Sequence, residues 1–528
     1  EDVWQLLGIE AAVERLIQAI ADGESVMILG DFDADGATST AVAIRGLRAM
    51  GLEKIDYLVP NRFEFGYGLT PEIVEVAAQT NPSLIVTVDN GISSVDGVER
   101  ARELGIDVLV TDHHLPGERL PDAVAIVNPN QPGDTFPSKF LAGVGVMFYL
   151  LIALRQRLRK SDWFAKQACK EPNLASLLDL VALGTVADVV PLDRNNRTMV
   201  EQGLSRIRNG RCAPGITALL RCAGRDPTRA IATDLGFFAG PRLNAAGRLD
   251  DMSLGIECLL TDDTAIADRY ARELDALNRE RREIEASMQA EALASLDKVS
   301  LDNEEQWGLS LFQEGWHQGI VGLVAARIRE RVHRPVIAFA EASEGLLKGS
   351  GRSIPGLHIR DALARVNSLN PDLIDKFGGH AMAAGLSLAK ENLQAFSAAF
   401  DGVVRSRLAP EQLEPIVYSD GELQAVEFNL EIAELLRQCG PWGQAFPEPV
   451  FDGRFEILQQ RVLKGCHLKY ELALENSAQK LAAIVFNINP EEWPGPGERL
   501  HIAFSLDVNC FRNSRSVQLL IRQRFNEQ

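Results

Sequence analysis

Three short, apolar, β-branched runs at 25–29, 84–88 and 106–110 each lead into a polar cluster. The clusters are Gly30-Asp31-Phe32-Asp33-Ala34-Asp35-Gly36, Val88-Asp89-Asn90-Gly91 and Thr111-Asp112-His113-His114. Runs of this length, bounded by turn residues, read as buried strands of a parallel sheet. The helical stretches at 38–50, 70–79 and 93–104 complete a βαβ pattern. In an open α/β sheet the carboxyl ends of the strands share one edge, and ligands collect there. The pattern therefore predicts a parallel-sheet α/β fold that brings the acids and imidazoles to one point.

Hard carboxylates with an imidazole suit Mn²⁺ or Mg²⁺ better than zinc or copper. Asp31-x-Asp33-x-Asp35-Gly36 also opens like an EF-hand calcium loop. That loop needs a Glu six residues beyond the glycine, where this chain has Val42, and it is not preceded by a strand. Two ions about 3.5–4 Å apart need a bridging carboxylate and ligands on both sides. Asp89, alone at its strand end, is the candidate bridge. Asp33 and Asp35 each lean toward one ion, and His113 caps one of them. Asp188, the one acid in Leu183-Gly184-Thr185-Val186-Ala187-Asp188-Val189-Val190, is either a further ligand or a helix cap.

A chain of 528 residues exceeds one core, and at roughly 100–200 residues per domain it should hold about three. Residues 1–260 read as the parallel-sheet domain with a mostly helical extension from 141, including 174–189. Residues 261–300 form a long connecting helix, since 262–298 is charged and lacks Pro and Gly. Residues 301–405 form a smaller α/β domain, with strands at 307–312, 335–340 and 346–350. Residues 406–528 contain alternating strands, among them 467–474, 480–487 and 517–524, and predict a small closed barrel.

The seven cysteines include no CxxC pair and are expected to be reduced and mostly buried. The chain has no apolar run of about 18 residues and no signal-peptide pattern, which predicts a cytoplasmic protein. It begins at Glu1, so a trimmed leading segment is expected. A net charge of −19 argues against general adhesion to nucleic acid. Residues 203–248, however, hold eight arginines against two acids. This suits a polyanion held in one groove, or equally a solvated helical face.

The clusters at 30–36, 87–92 and 111–114, followed by Gly378-Gly379-His380, resemble the DHH phosphoesterase superfamily. Over essentially the whole chain, including Pro-Arg-Leu-Asn-Ala-Ala-Gly-Arg at 241–248, the likeness is to its bacterial single-strand-specific 5′→3′ DNA exonucleases. The resemblance implies a DHH domain, a DHHA1-type domain carrying Gly-Gly-His, and an OB-like β-barrel. It places Asp31, Asp33, Asp35, Asp89, His113 and Asp188 in metal-binding motifs. Three acids stand where relatives keep one His and two Asp, which leaves open which of Asp31, Asp33 and Asp35 bind directly.

His114, with Asp112, then acts on the substrate as a phosphate donor or proton source, and His380 joins them as a catalytic group from the second domain. The cleft between the domains becomes the substrate channel. Phosphate contacts fall to Arg62, Arg242, Asn244, Arg248, Gly378 and Gly379, and to Ser350, Arg352 and Ser353 in a Gly-rich cradle. Phe63, Phe65 and Tyr67 are candidates for base stacking, or packing residues. Arg512, Arg515, Arg522 and Arg524 follow the strand, or are surface charges.

The activity so implied is two-metal hydrolysis of single-stranded DNA to nucleotides, in recombination and repair. It would be carried out by a monomer working beside single-stranded DNA-binding protein and a RecQ-type helicase. The alternatives are another DHH phosphodiesterase, acting on oligoribonucleotides, cyclic dinucleotides or pyrophosphate, and a non-catalytic DNA-binding scaffold.

Overall fold

Strands β1 (Val26–Leu29), β2 (Ile55–Leu58), β3 (Leu84–Val88), β4 (Asp107–Thr111) and β5 (Ala125–Val127) form one parallel sheet in the order β2-β1-β3-β4-β5. The computed structural model describes residues 1–60, 68–300, 306–343, 345–474, 479–511 and 514–525. Arg62, Phe63, Phe65, Tyr67 and Arg512 lie outside the described residues. β1 and β3 are buried along their whole length, as strands of a parallel sheet covered on both faces must be. The sequence pattern does not single out β2 and β5, which are only four and three residues long.

Leu29 pairs with Thr87, and Thr87 with Val110, so β1, β3 and β4 end nearly level. The chain leaves β1 for β2 on one side and returns to β3 on the other. This reversal of strand order opens a crevice at the carboxyl ends of β1 and β3. The helix Ala34–Ala49 starts in that crevice, with Asp33 as its N-cap accepting from the Asp35 and Gly36 amides at 2.9 and 3.0 Å. Helices Gly143–Lys160 and Leu178–Ala187 pack against it.

The predicted connector is a single helix, Thr264–Ser300, of 37 residues. The division between two compact units, Glu1–Asp275 with Val417–Gln528 and Ala276–Ile416, falls inside this helix. The second unit holds a mixed sheet of β6 (Leu309–Phe312), β7 (Val336–Ser343), β8 (Leu346–Arg352), β9 (Lys376–Gly379) and β10 (Ala383–Ala389) in the order β6-β7-β8-β10-β9. Phe339, Phe396 and Phe400 stack in its core.

The third sheet is a closed five-stranded barrel. Its strands are β11 (Phe451–Leu463), β12 (His467–Leu474), β13 (Lys480–Val485), β14 (Arg499–Phe511) and β15 (Ser514–Phe525), around Phe455, Tyr470 and Phe504. These strands run from Phe451 to Phe525, and the stretch from 406 leads into them. It includes the helix Leu430–Gln438.

Two expectations need correction. Cys169, Cys212, Cys222, Cys258, Cys439 and Cys466 are free thiols, but only Cys258 among them is buried, whereas Cys169, Cys439 and Cys466 are exposed. The exposed ones stand where the chain leaves a helix or turns between strands. The glycines of Gly349-Ser350-Gly351-Arg352-Ser353, expected to allow close approach of a phosphate, lie with Ser350 and Arg352 in β8. A Cβ on Gly349 would sit 2.5 Å from the Phe339 ring, and one on Gly351 would sit 2.7 Å from Ile359. These glycines make room for core side chains. Among the described residues no helix is long and apolar enough to cross a membrane.

Candidate metal centre

Asp31, Asp89 and His113 follow β1, β3 and β4 by one or two residues, so the level strand ends place them together. Asp188 arrives from elsewhere, as the C-cap of helix Leu178–Ala187. His113 Nε2 lies 3.1 Å from Asp89 Oδ1, 3.5 Å from Asp188 Oδ2 and 4.0 Å from Asp35 Oδ2. Three overlapping groups have ligand atoms within 4.8 Å of one another: Asp31, Asp33 and Asp89; Asp35, His113 and Asp188; Asp89, His113 and His114. The structure thus gathers all six predicted ligands. Asp89 and His113 each belong to two groups.

The backbone around Asp89 is held tightly. Its φ of +63° is left-handed, a conformation that Asp tolerates better than most residues. Its amide donates to Thr111 O at 3.1 Å, while Asn90 Nδ2 donates to Leu29 O and Val88 O at 3.2 and 2.9 Å. A Cβ on Gly143 would lie 2.6 Å from the Asp89 side chain. The Gly143 and Val144 amides, at the start of a helix, donate to Asp35 Oδ2 and Oδ1 at 2.6 and 3.0 Å. On the histidine side, Asn130 Nδ2 donates to His113 O at 2.6 Å and Asn128 Nδ2 to His114 O at 2.9 Å.

Sequence reasoning missed these supports. Asn128-Pro129-Asn130 directly after a short apolar run was the available signal.

Crowding these acids has an electrostatic price. Burial, then the charge of Asp33, pushes Asp35 up to about 7. Burial, followed by the charges of Asp35, Asp33, Asp31 and Asp188, holds Asp89 well above the usual carboxylate range. Asp188 is raised in the same way, by burial and then by Asp35 and Asp33. Buried like charges of this kind are relieved by divalent cations, and the carboxylate-rich donor set with imidazole fits Mn²⁺ or Mg²⁺.

Asp112 is different. Its Oδ1 accepts from His114 Nδ1 at 2.7 Å and from the His113 and His114 amides, while Oδ2 accepts from the Ile92 amide. Burial opposes its charge, but the His114 hydrogen bond and the neighbouring imidazoles keep it below the ordinary range. Both Asp112 oxygens are thus occupied by the protein's own donors, an arrangement that orients the His114 ring. Burial disfavours the His114 cation, yet the Asp112 hydrogen bond and nearby acids push it up to about 9.

The predicted phosphate ligands divide. The Arg242 guanidinium is held by Asp275 at 2.7 and 3.0 Å and by Phe238 O at 2.7 Å. Asn244 Oδ1 accepts from the Ala34 amide at 2.7 Å and so braces the metal loop. Arg248 is half-buried on the same helix, Gly240–Leu249. Arg208 and Arg225 pair with Glu201 and Asp234, so the 203–248 stretch is not one uniformly open basic face.

On the second unit, Arg352 Nη1 donates to Ser350 Oγ at 3.1 Å. Ser353 is fully buried and donates to Leu357 O at 2.7 Å, which removes it from ligand reach. Gly378, Gly379 and His380 are exposed where β9 turns into β10. In the barrel, Arg515 pairs with Glu434 and Arg522 with Glu448, and Arg524 lies over the Trp493 ring.

Residues 25–185 match the DHH family N-terminal domain, 305–406 the DHHA1 domain and 419–523 the RecJ OB domain. The chain is 58% identical to the single-stranded-DNA-specific exonuclease RecJ of Dickeya dadantii, over 98% of this chain and 91% of that protein. It is 56% identical to the enzyme of the same name from Escherichia coli, over 98% and 90%. The crystal structure of RecJ from Thermus thermophilus in complex with Mn²⁺ aligns with a TM-score of 0.78 at 29% identity, over 99% of this chain and 72% of that one. The Mg²⁺ complex aligns with a TM-score of 0.73 at 28% identity, over 99% and 71%.

Proposed function

This chain belongs to the RecJ family, and on that premise we propose that it degrades single-stranded DNA from the 5′ end, releasing nucleotides by metal-dependent phosphodiester hydrolysis. The observation that carries the reading is the convergence of five carboxylates and an imidazole at the carboxyl edge of the first sheet. Asp31, Asp33 and Asp89 would hold one ion, and Asp35, His113 and Asp188 the other, with Asp89 between them. Bound there, two Mn²⁺ or Mg²⁺ ions supply activated water and neutralise charge on the attacked phosphate.

The chain's own groups do the rest. Asp112 fixes the His114 ring through Nδ1, and the protonated imidazole donates to the phosphate or to the leaving oxygen. On the first unit Arg248 binds substrate phosphate, as does Arg62 by its place in the sequence, and on the second unit Arg352 with Ser350 and the Gly378-Gly379-His380 turn carries phosphate-binding groups of its own; a grip on the terminal phosphate makes the cut exonucleolytic. Action beside single-stranded DNA-binding protein and a RecQ-type helicase, in cytoplasmic recombination and repair, belongs to the same proposal.

The test is incubation with Mn²⁺ and 5′-labelled single-stranded, 3′-labelled single-stranded and duplex DNA, alongside a cyclic dinucleotide and pyrophosphate. Release of labelled nucleotide first from the 5′-labelled single strand is expected. Hydrolysis confined to the two small substrates would overturn the reading.

A further inference from the structure

Val189, the residue after the metal ligand Asp188, combines two features that packing does not explain. Its φ is +60°, the left-handed region, where a β-branched side chain is an outlier, and it is 63% exposed. It follows the C-cap of helix Leu178–Ala187, a position where chains ordinarily place glycine. Glycine would avoid the backbone strain, and burial of the side chain does not offset it.

Strain that persists beside a reactive centre points to a task for the side chain. Val189 also has company. Phe140 is 49% exposed, and Asn196 Nδ2 ties its carbonyl to that of Pro191, two residues beyond Val189. Leu115, next to His114, is 58% exposed. Val189 and Leu115 thus adjoin the two loops that carry Asp188 and His113–His114.

We propose that Val189 is a substrate-contacting residue that packs against the base of the nucleotide being cut. The proposal rests on the nuclease reading above. An apolar contact accepts any base because every base has an apolar face, so it grips a single strand without reading sequence. A duplex would keep that face stacked on its neighbours.

The full chain is assayed with 5′-phosphorylated single-stranded DNA and with the same strand carrying abasic tetrahydrofuran residues at its 5′ end. Val189→Gly and Val189→Asn accept the left-handed backbone, so their melting temperatures should equal or exceed that of the parent. Each should raise KM about tenfold with kcat little changed, the loss of one apolar contact. Val189→Ile should retain the parent KM. The parent should favour the base-bearing strand, and Val189→Gly should no longer distinguish the two.

A parent KM in the stable Val189→Gly variant overturns the inference. So does a fall in Mn²⁺ affinity, measured by calorimetry, that accounts for the lost activity, because the side chain would then act through Asp188. A parent protein inert on single-stranded DNA brings down the nuclease reading and this inference with it. An active parent with an indifferent variant brings down this inference alone.

Discussion

At the carboxyl edge of β1, β3 and β4, Asp31, Asp35 and Asp89 are 4%, 1% and 1% exposed, whereas the Gly378-Gly379-His380 turn on the second unit is open to solvent. Both clusters look equally polar along the chain, but the protein treats them oppositely. In the first, acids are driven together under burial, and amides of Gly143, Val144 and Ile92 are aimed at their oxygens. In the second, polar groups remain hydrated and the glycines serve turn and sheet geometry. A buried cluster of like charge needs an ion to complete it, while a hydrated turn is stable by itself. Substitutions should therefore be severe at the first cluster and mild at the second.

The hardest test of that contrast is Asp89→Asn. Loss of the shared ligand should lower Mn²⁺-dependent hydrolysis of single-stranded DNA by about 1000-fold or more, an effect of several kcal/mol on the barrier. Substantial remaining activity in a single-turnover assay would displace Asp89 from the bridge. Asp112→Asn should cost about 10–100-fold, the usual range for a group that orients a functional imidazole. Its pH profile should also lose activity earlier on the alkaline side, since His114 no longer titrates near 9. An unshifted alkaline limb would mean that His114 does not act as the protonated donor.

The third test is metal removal. In the fold, Asp35 keeps its proton up to about 7, whereas in the unfolded chain it loses it in the ordinary carboxylate range. Between those values the folded state binds more protons. The contribution of Asp35 is thus fully present below the unfolded value and is lost as pH rises toward and through about 7. Chelated protein should be less stable at pH 8 than at pH 5, by on the order of a few kcal/mol in denaturant titrations, and Mn²⁺ should restore it at pH 8. A chelated protein equally stable at both pH values would contradict the crowded-charge account.

Smallest of all are the changes on the second unit. Arg352→Ala should raise KM for 5′-phosphorylated strands about tenfold, equivalent to one charge-assisted contact. Ser353→Ala should leave KM alone and lower stability by about 1 kcal/mol, the contribution of its hydrogen bond to Leu357 O. A KM effect from Ser353→Ala would mean that the buried hydroxyl becomes accessible.

Much of the first cluster was legible because its signals are local. β-branched runs of strand length, each closing on an acid or an imidazole, state both the sheet and the edge at which ligands gather. Asp188 was only half legible. It is both things its neighbours allowed, the cap of a helix and a group 3.5 Å from His113 Nε2. The two glycines of the Gly349–Ser353 motif were ambiguous for a physical reason: a glycine announces missing volume without saying whether a ligand or a neighbouring ring fills it. Here Phe339 and Ile359 fill it.

By itself, the sequence determined the donor chemistry, the order of the motifs, the parallel sheet, the connector helix and the barrel. All of these depend on residue type and on short-range periodicity. Only the tertiary structure decided which oxygens the protein claims for itself, so that Asp112 serves His114 while Asp89 faces both halves of the site. It also decided that Asp188 completes the cluster and that Val189 is left exposed beside it. Apart from the local Asp112–His114 contact, those assignments depend on close approaches between segments tens to more than a hundred residues apart, and such distances are set by packing.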